Sequence, residues 1–384
     1  MIEASNIKPV TILGSYLCLA AVLTAQILRR LYQAKIRPQT QRQDPHYRTR
    51  KSAHLVLFAT LAVVSLVITW YYMLAFFTLS YQTWTRENNL PLPGRLWGSD
   101  VLLARNEDVG GLHLGPWLRD TKLFNDAWET VIDGKARFWW SQQIFLITTI
   151  WSVFLGVEGN RRKIPHLWTF MLLGQIVAIS FAMNLSFLAM LLYNPAPVDK
   201  RRVQYEQGQG NQTRTLYVLS TYTLYFALGA VFGSIFHIPS FVGTSKFLSL
   251  LALPHVLLFL PVIIPQHWSQ FDLILDGQPR TTSVVTNLYR LTVGPSVVLF
   301  VRATYLALRD QEPGGALAIF NELSSHPAVS SVGWDVILCF LSATFWASID
   351  NTNTWRTLKY ILPIVRWYPK DPDPKNVDDL RKDE

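Results

Sequence analysis

Hydrophobic residues in this chain come in blocks of about twenty, separated by polar connections, and that is the length at which a helix crosses the hydrocarbon core of a bilayer. Eight such blocks are present, at about 9–28, 54–79, 139–157, 165–192, 215–237, 246–265, 284–308 and 332–349. Backbone groups in lipid must be satisfied within their own segment, and strand-like alternation is absent, so each block predicts a helix. The fold class is therefore all-α, a polytopic transmembrane bundle of about eight spans. The third and eighth blocks are the weakest, because Gln142 and Gln143 dilute one and Asp335 dilutes the other.

The connections carry the charge. Lys8 precedes the first block and Arg29 and Arg30 follow it, which is the wrong flanking for a cleaved signal peptide, so the block reads as a signal anchor. Arg29, Arg30, Lys35, Arg37, Arg42, Arg48, Arg50 and Lys51 lie between the first two blocks, and this concentration of positive charge predicts a cytosolic loop and a lumenal N-terminus. The alternation then puts Arg161, Arg162 and Lys163 on the cytosolic side. It puts 194–214 in the lumen, where Asn211-Gln212-Thr213 is a usable glycosylation sequon. Arg356, Lys359, Arg366 and Lys370 argue against this orientation, since eight spans would leave them lumenal. The expected location is the endoplasmic reticulum or another endomembrane.

The connection 80–135 is too long for a turn, and Pro91, Pro93, Gly94, Gly110, Gly111, Gly115 and Pro116 predict an irregular folded loop, either a vestibule or a surface excursion without a role. Residues 1–368 form one membrane-embedded domain in this reading, with Trp355 to Trp367 at the interface and 369–384 as a disordered charged tail.

Composition narrows the partners. The net charge of +9 is carried by Lys and Arg in the connections, where anionic headgroups are the nearer partner, and no nucleic-acid-binding motif is present. The partners expected are the lipid bilayer and a hydrophobic small molecule, with no nucleic acid. Cys18 and Cys339, the two cysteines, both lie in apolar blocks, which excludes a disulfide framework or a cysteine metal site. P-loop, GxSxG and HExxH motifs are absent, and the Asp-rich run at Asp378 lies in the charged tail with no apolar pocket beside it.

Candidate chemistry concentrates just before the third block. Asp126, Glu129 and Asp133 are spaced to share one face of a helix, beside an apolar set of Phe124, Trp128, Val131 and Ile132. The cluster suits either a proton-donor site or an interfacial helix whose acids face water. Asp272 and Asp276 form a second acidic pair in the connection after the sixth block, which emerges on the same side of the membrane as the loop after the second. The two sets resemble the Asp-rich motifs of UbiA-type prenyltransferases, which implies Mg²⁺ held on a prenyl diphosphate. Glu129 stands where that family has Asp, and its basic residues around the second motif are missing.

Glu158, between Gly156 and Gly159 and ahead of the basic triplet, is either a second acid or an interfacial ion pair. Asp335 and Asp350 bracket the last block with the same ambiguity, and His237, His255 and His267 lack metal-ligand spacing. Arg290 and Arg302 in the seventh block snorkel to opposite interfaces or face an anionic ligand. Gly229 with Gly233, and Gly174 with Ala178 and Ala182, mark helix-packing faces. Trp128, Trp139, Trp140 and Trp151 suit either the wall of a cation-stabilising pocket or an interfacial belt.

The segments FNDAWETVIDGKARFWWSQQ, FLGVEGNRRKIPHLW and FMLLGQIVAISFAMNL, which lie within a stretch of about 70 residues, resemble those shared by fungal integral membrane proteins that include the terpene cyclases of the ascochlorin and ascofuranone pathways. The resemblance implies cyclisation of an epoxidised farnesyl chain on an aromatic or polyketide core, in fungal meroterpenoid biosynthesis, with no cofactor. A carboxylic acid protonates the epoxide, a carbocation cyclises, and a base ends the cascade. Under this reading Asp126 and Glu129 are the proton-donor candidates, Glu158 a second acid or structural partner, and Trp128, Trp139, Trp140, Asp133, Asp272 and Asp276 the substrate pocket. A Mg²⁺-dependent prenyltransferase and a transporter or sensor are the alternatives.

Overall fold

The computed structural model describes residues 4–36, 45–90, 113–193, 210–264, 280–309 and 315–349. Among these the regular structure is helical throughout. The elements in chain order are α1 (Ala4–Ile36), α2 (Pro45–Glu87), α3 (Leu114–Asp120), α4 (Leu123–Ile132), α5 (Lys135–Arg161), α6 (Trp168–Ile176) and α7 (Ile179–Leu192). They continue with α8 (Gly210–His237), a short 3₁₀ turn (Ile238–Phe241), α9 (Phe247–Leu257), α10 (Leu260–Ile263), α11 (Arg280–Arg309), α12 (Gly315–Glu322) and α13 (Pro327–Ile349).

Six helices, α1, α2, α5, α8, α11 and α13, contain a stretch long and apolar enough to cross a membrane. Apart from α5, their outward faces carry exposed large apolar side chains, among them Val56, Val63, Val67, Phe226, Val298 and Val301, as hydrocarbon solvent requires. This is the architecture of an integral membrane helical bundle. At 43 residues α2 rises about 65 Å and overreaches the hydrocarbon core.

The other two apolar blocks differ from expectation. The fourth, read as one span, is two helices, α6 of 9 residues and α7 of 14, separated at Val177 and Ala178. Ala178 is extended, at φ −164° and ψ 139°. The sixth is divided at Leu258 and Phe259 into α9 and the single turn α10. No proline or glycine stands at the break in 174–182 other than Gly174 itself. The interruption is held by partners from elsewhere: the Tyr16 hydroxyl of α1 donates to the Ile176 carbonyl, and Asp335 of α13 accepts from the first amides of α7. Gly174 lets the two halves close up, because a Cβ there would meet the Trp151 ring, Ile179 and Ala182. The small-residue series at Gly174, Ala178 and Ala182 thus permits a sharp joint rather than a smooth helix face.

The third block, the weaker sequence signal, is the centre of the bundle. Within α5, the residues Ser141, Gln142, Gln143, Thr148, Thr149 and Ser152 are all buried, and α4, α7, α10, α11 and α13 pack around it. A helix shielded from lipid by its neighbours needs no continuous apolar surface. Thr148, Thr149 and Ser152 return their hydroxyls to carbonyls in the preceding turn of the same helix. Gly156 is where α10 approaches most closely, since a Cβ there would overlap the Pro261 carbonyl. On the far side, Phe58, Phe154, Phe187 and Trp346 join α2, α5, α7 and α13, with Phe187 and Trp346 stacked at 4.7 Å and 7°.

After residue 112 the long loop returns to the end of α2 as α3. Trp117 packs with Tyr81 and Trp84, donating its indole N–H to Ser80 at 3.2 Å, and Trp84 donates to Asp120 at 3.3 Å. The helix α8 begins at Gly210, so Asn211 lies in a first helical turn rather than in a polar loop.

Candidate functional site

The interruption between α6 and α7 opens onto a cavity of about 150 Å³. Its walls come from α2 (Thr69), α4 (Trp128), α5 (Ile144, Phe145, Thr148), the joint itself, α9 (Pro254, His255) and α13 (Ser331, Val332, Asp335). His255 and Asp335 are the two ionisable side chains among its lining residues.

Asp335 is 9% exposed. Its Oδ2 accepts the Ile179 amide at 3.0 Å and its Oδ1 accepts the Ser180 amide at 2.8 Å. A helix N-terminus leaves its first amides without intrahelical partners and carries partial positive charge, so a carboxylate placed there satisfies both needs. One residue from α13 therefore caps α7 and lines the cavity.

His255 is placed by two backbone contacts. Its Nδ1 lies 2.8 Å from the Leu251 carbonyl, one turn back in α9. A carbonyl only accepts, so Nδ1 carries the hydrogen, and in the neutral ring Nε2 has a free lone pair. The His255 carbonyl accepts from the Gln175 side chain at 3.0 Å, tying α9 to the last turn of α6. Trp128 stacks on Phe145 at 5.5 Å and 25°, and both rings stand perpendicular to the imidazole, at 5.7 and 6.1 Å.

The residues singled out from sequence fall in different places. Trp128 enters the cavity. Asp126 and Asp133 are exposed and Glu129 is half-buried, and none of the three is among the lining residues. The physical reason is the strong two-sidedness of α4: Val131 and Ile132 are buried and Trp128 points inward, which turns the acids outward. Glu158 is in an ion pair, with Arg161 at 2.8 Å and Arg162 at 3.6 Å. Arg162 also donates to the Met190 carbonyl at 2.8 Å, which fastens the end of α5 to the end of α7. Trp139 and Trp140 meet edge to face and line neither this cavity nor a smaller apolar one beside Trp151. Their indole N–H groups donate to Thr304 of α11 and the Ile319 carbonyl of α12, each at 2.9 Å. Asp272, Asp276 and Asp350 lie outside the described residues, as does the side chain of Asn211. Among the described residues, no three His, Cys, Asp or Glu side chains are grouped as metal ligands.

Asp335 and His255 were both legible as types. A carboxylate inside an apolar block is costly unless it has a partner or a task, and that signal was present at Asp335. Nothing local in the sequence placed His255 in the same cavity, because their nearness arises only from the packing of α9 and α13 around α5.

Comparison of the chain with protein-family models, with curated proteins and with solved structures finds no match.

Proposed function

We propose that the protein is a membrane-embedded terpene cyclase in which the Asp335 carboxyl protonates the epoxide of a prenylated aromatic substrate and the resulting cation cyclises in the cavity. The observation that carries this reading is a carboxyl group inside a cavity walled by Trp128 and Phe145, with two backbone amides on its oxygens. A protonated Asp335 donates its hydrogen to the epoxide oxygen. The carboxylate left behind is then stabilised by the Ile179 and Ser180 amides and the N-terminus of α7, groups already in place before the transfer. Aromatic faces stabilise a passing carbocation, and the apolar walls keep water from capturing it early. A cavity on the order of this volume holds a six-membered ring, so it suits the reacting end of a prenyl chain. In this proposal Asp126 and Glu129 serve the interfacial surface of α4 rather than the acid step. The interrupted pairs α6–α7 and α9–α10 complete eight crossings.

The break between α6 and α7 favours one second reading, a transporter, since discontinuous helices recur at transport sites and ionisable residues inside the membrane mark substrate and ion pathways. The test separates the two. Membranes carrying the protein, given an epoxy-farnesyl phenol, are expected to produce a compound of equal mass and new retention time. Asp335→Asn, at equal protein level, is expected to lose at least about 100-fold in turnover. Uptake of unaltered substrate into sealed vesicles, with no isomer formed across a panel of prenyl epoxides, would replace the cyclase by the transporter.

A further inference from the structure

We infer that His255 is the base that ends the cyclisation: its Nε2 takes a proton from the carbon next to the final cation, and the product leaves as an alkene. The inference rests on the cyclase reading above and assigns a second catalytic residue to the same cavity.

The geometry prepares the ring for this step. The Leu251 carbonyl holds the hydrogen on Nδ1, so the neutral imidazole presents its lone pair on Nε2. The ring stands against Trp128 and Phe145, the aromatic walls on which the cation is held, and these also stabilise the imidazolium that forms. Asp335 is the other ionisable group lining the cavity, and at that moment it is the carboxylate produced by the first proton transfer. The second polar wall from α6 is otherwise engaged, because the Gln175 amide donates to the His255 carbonyl.

The step balances without a co-reactant. The Asp335 O–H bond and the epoxide C–O bond break and a hydroxyl group forms, while each C=C π bond of the prenyl chain that attacks the electron-deficient carbon is consumed to make a ring-closing carbon–carbon bond and leaves the next cation. A C–H bond then gives its electron pair to a new double bond while its proton goes to Nε2. The substrate and product are isomers. The imidazolium proton returns to Asp335 after product release, which restores both residues for the next turnover.

The product spectrum tests this assignment. With His255→Asn the amide can still donate to the Leu251 carbonyl, so the helix contact is kept while the base is removed. The readout is the distribution of the products formed rather than the rate of epoxide consumption, because the variant also loses the imidazolium that returns the proton to Asp335. The wild-type alkene should fall at least about tenfold as a share of product, replaced by the water adduct or by other alkene isomers. An unchanged alkene share would overturn the assignment. If His255→Asn does not accumulate, His255→Gln, which keeps an amide donor and lacks the base, takes its place with the same expected loss of the wild-type alkene, and an unchanged share there would equally overturn the assignment. Failure of wild-type membranes to isomerise any prenyl epoxide defeats the cyclase and this inference together, whereas cyclisation with a wild-type product spectrum in His255→Asn defeats the inference alone.

Discussion

Two carboxylate-bearing regions of this protein differ in a way that runs against their prominence in the sequence. The helix α4 holds three acids, Asp126 and Glu129 and, at its C-terminal end, Asp133, which face outward or lie half-buried. The helix α13 holds a single Asp335 in an otherwise apolar run, and it lies buried with both oxygens engaged by backbone amides. Charges gathered on one helical face are cheap because water or headgroups solvate them together. A lone carboxylate among apolar residues survives only where the fold supplies donors, so its isolation is the more informative signal.

The contrast can be tested from its strongest side downward. The loss expected for Asp335→Asn sets the upper mark. Next comes Gly156→Ala, which pushes α5 away from α10 and so displaces the wall that carries His255. The added methyl meets backbone atoms of Pro261 and Val262, which no rotamer change can move. A destabilisation of about 1–3 kcal/mol is expected, read as a lowered unfolding temperature of the detergent-solubilised protein. A wild-type unfolding temperature would show that α10 yields freely and that the cavity wall is not fixed by this contact.

Acid stability probes a third carboxylate, Glu322, which lies between the other two in exposure. Burial pushes its pKa up, but hydrogen bonds from Ser325 at 2.6 Å and Arg137 at 2.9 Å outweigh that and hold it below the usual glutamate range. A depressed carboxylate stabilises the fold above its unfolded value, about 4.3, and that contribution is lost as pH falls through the lower folded value. Unfolding temperatures of wild type and Glu322→Gln should therefore differ at neutral pH and converge below about pH 4. Equal temperatures at both would remove the pair from the account of how α12 is held on α5. The smallest effect belongs to the double variant Asp126→Asn with Glu129→Gln, expected to change stability by no more than about 0.5 kcal/mol and to leave turnover intact. A loss of turnover comparable to that of Asp335→Asn would reverse the comparison and return the acid step to α4.

The hydrophobic pattern named the membrane helices well because transfer into lipid depends on local composition over about twenty residues. It misjudged the rank of α5 for the same reason. Gln142 and Gln143 weaken a span that faces lipid, but α5 is surrounded by protein and bears no such requirement. The Trp residues show a parallel split. Trp128, Trp139 and Trp140 are alike in the sequence, yet one lines the cavity while the other two anchor α11 and α12 through their indole N–H groups. Side-chain direction on a helix follows from which neighbours are present, and the groups that receive Trp139 and Trp140 come from positions more than 150 residues away.

By itself the sequence determined that this is an all-helical protein of the membrane, where the apolar segments lie, and which residue types are out of place in them. Those properties follow from solvation, which each segment feels independently. The tertiary structure alone decided that the 165–192 block breaks in two, that Tyr16 and Asp335 satisfy the freed carbonyl and amides, and that His255 shares a cavity with Asp335. A break without proline or glycine at the joint is stable only when distant side chains replace the lost backbone hydrogen bonds, and no local pattern records that replacement.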